Sequence, residues 1–300
     1  MTDLKQMFRF ALTRDLLSRN PLDLISKREI GGAAVERIRV LSKAEIELLA
    51  TALPKAKLPP RIEPAVWLML ATAVRLGELL GATWADSLVD REELLAVAQA
   101  CDVKLGFVDL HARTWYLANT KNQRDHTIHL SKFAIRQFEA LKAVRDNSPL
   151  VELKFSPWIF PAQRGDLPLR GPNFGKPLSD RQRSLERRLT GRTLACEALK
   201  LAGGRWTAHD LRRTAATLMA EMGVSGDVID ECLNHIIESR VRRIYVRDRR
   251  AADQAKAFDA LGARLQQLVA HGSLVRARGD GAANRHLSPP SSHSSGRTAV

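Results

Sequence analysis

Helical periodicity governs most of this sequence, and β-prone runs are confined to one short region. We therefore expect an α+β fold, mainly α-helical, with one small three-stranded antiparallel sheet. Three observations carry that expectation. Apolar residues recur at helical spacing over residues 4–18, 64–80 and from 131 onward. Short runs at 106–110, 114–118 and 126–130 have strand composition. Polar turns at 111–113 and 121–124 separate those runs at hairpin distances.

Taken in order, residues 4–18 predict a helix with Leu4, Met7, Phe8, Ala11 and Leu12 on one face, stopped by Asn20-Pro21. An isolated amphipathic helix cannot bury its own stripe. It must dock elsewhere or belong to a larger domain. Residues 22–39, with Gly31-Gly32 and scattered charge, predict a linker. Ser42 followed by Glu45 is a capping-box pattern that opens the next helix. After Pro59-Pro60, one helix is expected over 64–80, with Pro64 in its first turn and Gly81 as its stop. Residues 88–105 look like an insertion holding a short helix near 92–100. The three strands follow, then helices from 131, interrupted by a Pro/Gly-rich stretch at 157–177. Residues 253–269 predict a late amphipathic helix. The last thirty residues, 271–300, are rich in Ser, Arg, Gly and Pro, and are expected to be disordered.

Charge narrows the function. Forty-seven lysines and arginines stand against 33 acidic residues, a formal net charge of +14. Such a surface attracts a polyanion, nucleic acid before anything else. Cys101, Cys196 and Cys232 are odd in number and far apart, which argues against a disulfide framework and a zinc site and for a reducing cytoplasm. The N-terminal apolar stretch is interrupted by charges, and 65–74 is too short to span a bilayer, so a soluble cytosolic protein is expected.

Three clusters carry chemistry. Arg75 and Glu78 fall within the otherwise apolar segment 64–80. They are either a structural ion pair or an anion-holding arginine fixed by its neighbour. Thr207 and Asp210 predict a helix start, which puts His209 and Arg212 on one face near its positive end. An ordinary basic helix surface explains them equally well. Cys232-Leu233-Asn234-His235 is followed ten residues later by Tyr245, set among Arg240, Arg242, Arg243 and Arg247. A phenol has a pKa near 10 and attacks poorly unless positive charge and a base assist it. Tyr116, the other of the two tyrosines, sits beside Trp115 on a strand and is expected to pack.

The order of these positions is more informative than any one of them. Arg75 and Glu78, then Lys121 in a β-turn, then His209 and Arg212, then His235, then Tyr245 strongly resembles the tyrosine recombinases, the phage-type integrases. So does the surrounding text: Leu-Ala-Thr-Ala-Val-Arg-Leu-Gly-Glu-Leu around Arg75, Thr-Lys-Asn around Lys121, and His-Asp-Leu-Arg-Arg-Thr around Arg212. The resemblance covers about residues 40–250.

It implies an integrase-type catalytic domain over 36–270. Residues 1–35 would be the last helix and linker of a core-binding domain, the chain being short at its N-terminus relative to full-length relatives. The family usually has glycine where Ala73 and Asn234 stand. Both exchanges should be tolerated unless the backbone needs a positive φ there.

The activity implied is cleavage and rejoining of double-stranded DNA through a 3′-phosphotyrosyl intermediate, without metal, ATP or a small-molecule substrate. Tyr245 would be the nucleophile. Arg75 and Arg212 would clamp the phosphate, and His209 and His235 would donate hydrogen bonds or take a proton. Lys121 would be the general acid and Glu78 a support. Arg213, Arg240, Arg242, Arg243 and Arg247 would hold the DNA backbone. Tetramers on DNA are implied, with no membrane partner, and the late helix would dock either on a neighbouring protomer or in cis. Three alternatives stay open: an idle integrase-derived DNA-binding protein, a type IB topoisomerase, and a basic scaffold with no role on DNA.

Overall fold

The computed structural model describes residues 2–26, 37–118, 125–235 and 247–285. Residues 1–38 are a unit of their own. Within it, α1 (Thr2–Leu12) is shorter than the 4–18 expected, because turns follow Leu12 and Asp15 takes φ 55°. Leu4, Met7 and Phe10 are exposed on this helix.

The second unit begins at Arg39. Its first helix, α2 (Lys43–Ala52), opens on the expected capping box. Ser42 Oγ accepts from the Glu45 amide at 3.3 Å, and Glu45 Oε2 accepts from the Ser42 amide at 2.9 Å. Two helices, α3 (Ile62–Thr72) and α4 (Leu76–Leu80), replace the single helix expected over 64–80. Of the residues of α3, all but Glu63 are buried, as a segment apolar nearly all round requires.

The sheet has four strands and is mixed, a correction to the three antiparallel strands expected. β1 (Ala82–Trp84) pairs parallel with β2 (Gly106–Asp109), and β3 (Thr114–Leu117) and β4 (His126–His129) continue antiparallel. Between β1 and β2 lies α5 (Arg91–Ala100), the helix foreseen in the insertion, capped by Asp90. Trp115, Leu117 and Ile128 point into the core, where Trp115 meets Phe138 edge-on at 5.7 Å. Tyr116 stacks on Phe107 on the other face, as the packing role requires.

Helices α6 (Lys132–Asp146), α7 (Val151–Lys154), α8 (Gly171–Asp180), α9 (Ala208–Glu221) and α10 (Gly226–Cys232) follow. The stretch expected to break the chain thus ends in a helix that begins Gly171-Pro172 and tolerates Pro177. α3 lies between α6 and α9.

The late helix, α11 (Arg247–Arg285), extends well past 253–269 and into the segment expected to lack structure. It docks in cis, burying Ala257, Phe258, Leu261, Leu265 and Leu268, chiefly against α2, α6 and α10. Its approach is close. A Cβ on Gly262 would lie 2.3 Å from Ser131 Oγ, and one on Gly272 would lie 2.4 Å from the Glu47 carbonyl oxygen. Asp259 ties the helix to the sheet, accepting from Arg113 at 2.9 Å with His129 Nε2 at 3.1 Å. Among the described residues, no helix is long and apolar enough to cross a membrane.

Candidate active site

The site begins at the break between α3 and α4. Ala73 caps α3 with φ 53° and ψ 23°, and Arg75 then adopts an extended conformation as the N-cap of α4. Arg75 is therefore not inside a helix. It stands at a corner, with its amide donating to Glu78 Oε2 at 2.7 Å and its Nη1 to Glu78 Oε1 at 2.9 Å. Glu78 is buried, while about a quarter of the Arg75 side chain is exposed. The ion pair and the anion-holding arginine are thus compatible: Glu78 holds one edge of the guanidinium and leaves the rest available.

The second arginine comes from α9, whose start follows the sequence expectation. Asp210 Oδ2 accepts from both the amide and the hydroxyl of Thr207, each at 2.8 Å. This fixes the first turn, from which His209 and Arg212 project. Arg212 is buried, and its Nη1 and Nη2 donate to the carbonyls of Ala73 and Leu233. Arg75 Nη2 donates to the neighbouring carbonyl of Asn234 at 3.3 Å. The two guanidiniums therefore grip consecutive carbonyls of the turn that ends in His235. Three segments far apart in sequence converge there.

Charge follows from this geometry. Burial first and Arg75 second, opposed by Glu78, bring the Arg212 pKa down to about 10, so the guanidinium stays charged at neutral pH. His209 faces solvent. Partial desolvation, then Arg213 and Arg212, hold its pKa below the usual imidazole value, so it is neutral at pH 7 and able to accept a proton. His235 is exposed, with Nδ1 3.0 Å from Asp230 Oδ1 and its amide donating to the Asp230 carbonyl at 2.8 Å. That contact orients the ring and leaves Nε2 for a substrate. Burial, then Glu231, pushes the Cys232 thiol up to about 12, so it stays protonated. Tyr116 is driven the wrong way for a nucleophile, its pKa raised first by a hydrogen bond to Asp125.

Both positions where glycine was expected do need a positive φ: 53° at Ala73 and 49° at Asn234. Asparagine visits this region readily. Alanine pays about 1–2 kcal/mol for it. The strain sits where the chain must turn to present the Ala73 carbonyl to Arg212. We predict that Ala73→Val lowers stability by roughly 2–4 kcal/mol, since a branched Cβ is poorly tolerated at this φ and the site is fully buried. Ala73→Gly should stay within about 1 kcal/mol of the parent. Urea denaturation of the two variants checks this.

Arg75, Glu78, His209, Arg212 and His235 are thus brought to one place. Lys121, Tyr245, Arg240, Arg242 and Arg243 lie outside the described residues, and of Arg247 only the backbone, at the start of α11, is described. Arg213 is partly exposed and spends one nitrogen on Asp210 Oδ1 at 3.3 Å.

One neighbour escaped the sequence analysis. His126, on β4, is within electrostatic reach of Arg75, Glu78 and Arg212. Its position two residues before Ile128, on the face that strand turns to the core, was the available signal.

Residues 39–251 match the phage integrase family. Prophage integrase IntA of Escherichia coli strain K12 is 27% identical over 198 residues, 65% of this chain and 41% of that protein. The chain thus spans about two fifths of the length of that curated relative. Among solved structures, the integrase of mycobacterium phage Brujita is similar at 19% identity and a TM-score of 0.45, covering 87% of this chain and 74% of that one. A lambda integrase (75–356) dimer bound to a COC' core site is similar at 19% identity and a TM-score of 0.46, covering 79% and 71%. With the matched segment running from the start of the second unit to the first turn of α11, the chain belongs to the phage integrase family, the tyrosine recombinases.

Proposed function

We propose that this protein is a site-specific recombinase that cleaves and rejoins DNA strands, with Tyr245 as nucleophile. The observation that carries the reading is the pair of guanidiniums, Arg75 and Arg212, held on adjacent carbonyls of the turn leading to His235. Two fixed forks beside two imidazoles form a receptor for a phosphate whose non-bridging oxygens gain charge during transfer.

In the proposed reaction the Tyr245 oxygen attacks the scissile phosphorus in line. The new O–P bond forms as the bond to the 5′-oxygen breaks, giving a 3′-phosphotyrosyl link. The phenolic proton passes to His209 or His235, the former neutral at pH 7. Lys121 protonates the departing 5′-oxygen. Attack by a 5′-hydroxyl from another strand reverses the step. The phosphodiester energy is retained in the tyrosyl ester, so no ATP is consumed. The substrate is double-stranded DNA, engaged by a tetramer. Residues 1–35 serve as the closing helix and linker of a core-binding domain, and residues 36–270 as the catalytic domain. Arg213, Arg240, Arg242, Arg243 and Arg247 hold the DNA backbone, which gives salt-dependent affinity with little sequence information.

The test is covalent trapping. Nicked suicide duplexes from the surrounding genomic DNA should yield an SDS-resistant adduct, and Tyr245→Phe should abolish it. Salt-sensitive binding without an adduct on any duplex would instead favour an idle DNA-binding protein. Relaxation of plasmid without a specific site would favour a topoisomerase.

A further inference from the structure

Among the described residues, His126 is a titratable group of the site's interior that the reaction as written leaves unused. It stands on the core-facing side of β4, paired in register with buried Leu117 across the ladder. Its Nε2 is buried and has no hydrogen-bond partner among the described residues. Three elements face it: α4 with Arg75 and Glu78, α9 with Arg212, and the end of α10 with the Cys232 carbonyl. Those are the elements whose junction forms the phosphate receptor.

A buried polar group near this much charge costs stability unless it has a task. An aliphatic side chain would fill the space beside Leu117 and Ile128 more cheaply. Neutral imidazole differs from such a filler in offering one N–H, and the Cys232 carbonyl is the acceptor within reach. The next two carbonyls along the chain are those of Leu233 and Asn234, which accept from Arg212 and Arg75. A group that fixes the carbonyl of Cys232 thereby fixes the base of both arginines.

We propose that His126 is a positioning residue for strand cleavage, joining the first residue of β4 to the turn that seats Arg75, Arg212 and His235. The proposal rests on the recombinase reading above. It requires the neutral ring. Burial, then Arg212 and Arg75, disfavour the proton, while Glu78 and the Cys232 carbonyl favour it, with a net pKa below the ordinary 6.5. The ring is therefore neutral at pH 7. As pH falls through that lowered value, it becomes a third cation facing two guanidiniums and a single carboxylate. The seat should then loosen and cleavage should slow.

The experiment measures single-turnover adduct formation from pH 5 to 8 for the full chain and for His126→Asn and His126→Leu. DNA affinity and the thermal midpoint are recorded alongside. Histidine-ring NMR of the parent follows His126, assigned by its absence in either variant or by selective labelling. The expected result is a loss of about 10–100-fold in rate at pH 7.5 with affinity within about twofold, the size of effect that a slight misplacement of reacting groups produces. The acid limb that coincides with the His126 ring titration should be missing from the variants. Variants that fold and cleave within about twofold of the parent, with the acid limb intact, overturn the proposal. If neither variant folds, the ring decides. Titration below 6.5 that moves with Glu78→Gln supports the proposal, and titration at or above 6.5 overturns it. A parent that forms no adduct refutes the recombinase reading instead, an outcome distinct from the other two.

Discussion

Arg212→Lys is expected to lower the rate of covalent DNA cleavage by about 10²–10³-fold, the usual cost of losing one positioned donor to developing charge. The charge count is unchanged by this exchange, but the geometry is not. Arg212 uses two nitrogens of its fork on the carbonyls of Ala73 and Leu233 and remains anchored while presenting the rest of its charge. A lysine has one nitrogen and cannot span both carbonyls. Its charge is also less secure. The environment that brings this guanidinium down to about 10 would act on a group that starts near 10.4. A lysine at this position should therefore hold its proton less firmly than the guanidinium does. One buried carbonyl would be left without its donor, at about 1–3 kcal/mol. Affinity for DNA at low salt should change little, since most of it comes from exposed basic residues. Single-turnover adduct formation, measured beside DNA affinity, separates these effects. Equal losses in both would point to a merely structural arginine.

Asp210→Ala is expected to cost roughly 3 kcal/mol of stability, although the position touches no substrate. Its carboxylate is fully buried and accepts from the Thr207 amide, the Thr207 hydroxyl and Arg213. Alanine removes the reciprocal half of the capping box and leaves the Thr207 amide unsatisfied in the interior. For a domain of this size the thermal midpoint should fall by about 6–12 °C. Because the same helix turn carries His209 and Arg212, adduct formation should fall as well, even below the melting transition. Asp210→Asn keeps an acceptor for the cap and should lose less than half as much. Calorimetry of the two variants checks the ranking.

Why some features were legible in the sequence and others were not has physical causes. The helix starts at Ser42 and Thr207 were readable because a capping box is local chemistry, complete within four residues. The strands carrying Val108, Trp115 and Ile128 were readable because each has β-branched or aromatic residues facing the core and polar turns nearby. β1 was not. Its three residues are hidden between a helix and an insertion, and its partner β2 lies beyond α5. The break at Ala73 was also invisible, because alanine gives no sign of a left-handed backbone and the flanking residues are as apolar as a helix interior. α8 was masked by its prolines, one in the first turn, where no amide partner is needed.

At the site, the side chains were found from their order along the chain, and Arg75, Glu78, His209, Arg212 and His235 do converge. What organises them was out of reach. The acceptors that seat the two arginines are the carbonyls of Ala73, Leu233 and Asn234, and a carbonyl has no signature in a sequence. Backbone geometry at two residues with positive φ decides where those carbonyls point.

The most direct measurement of the central claim is the identity of the residue joined to DNA. The trapped adduct is digested with nuclease and protease, and the peptide bearing the residual nucleotide is sequenced by mass spectrometry. The chain has two tyrosines, so the result is close to binary. A nucleotide on Tyr245, absent from the Tyr245→Phe protein, is the outcome predicted here. A nucleotide on Tyr116 or on a residue that is not tyrosine, or an adduct that persists in Tyr245→Phe, would contradict it.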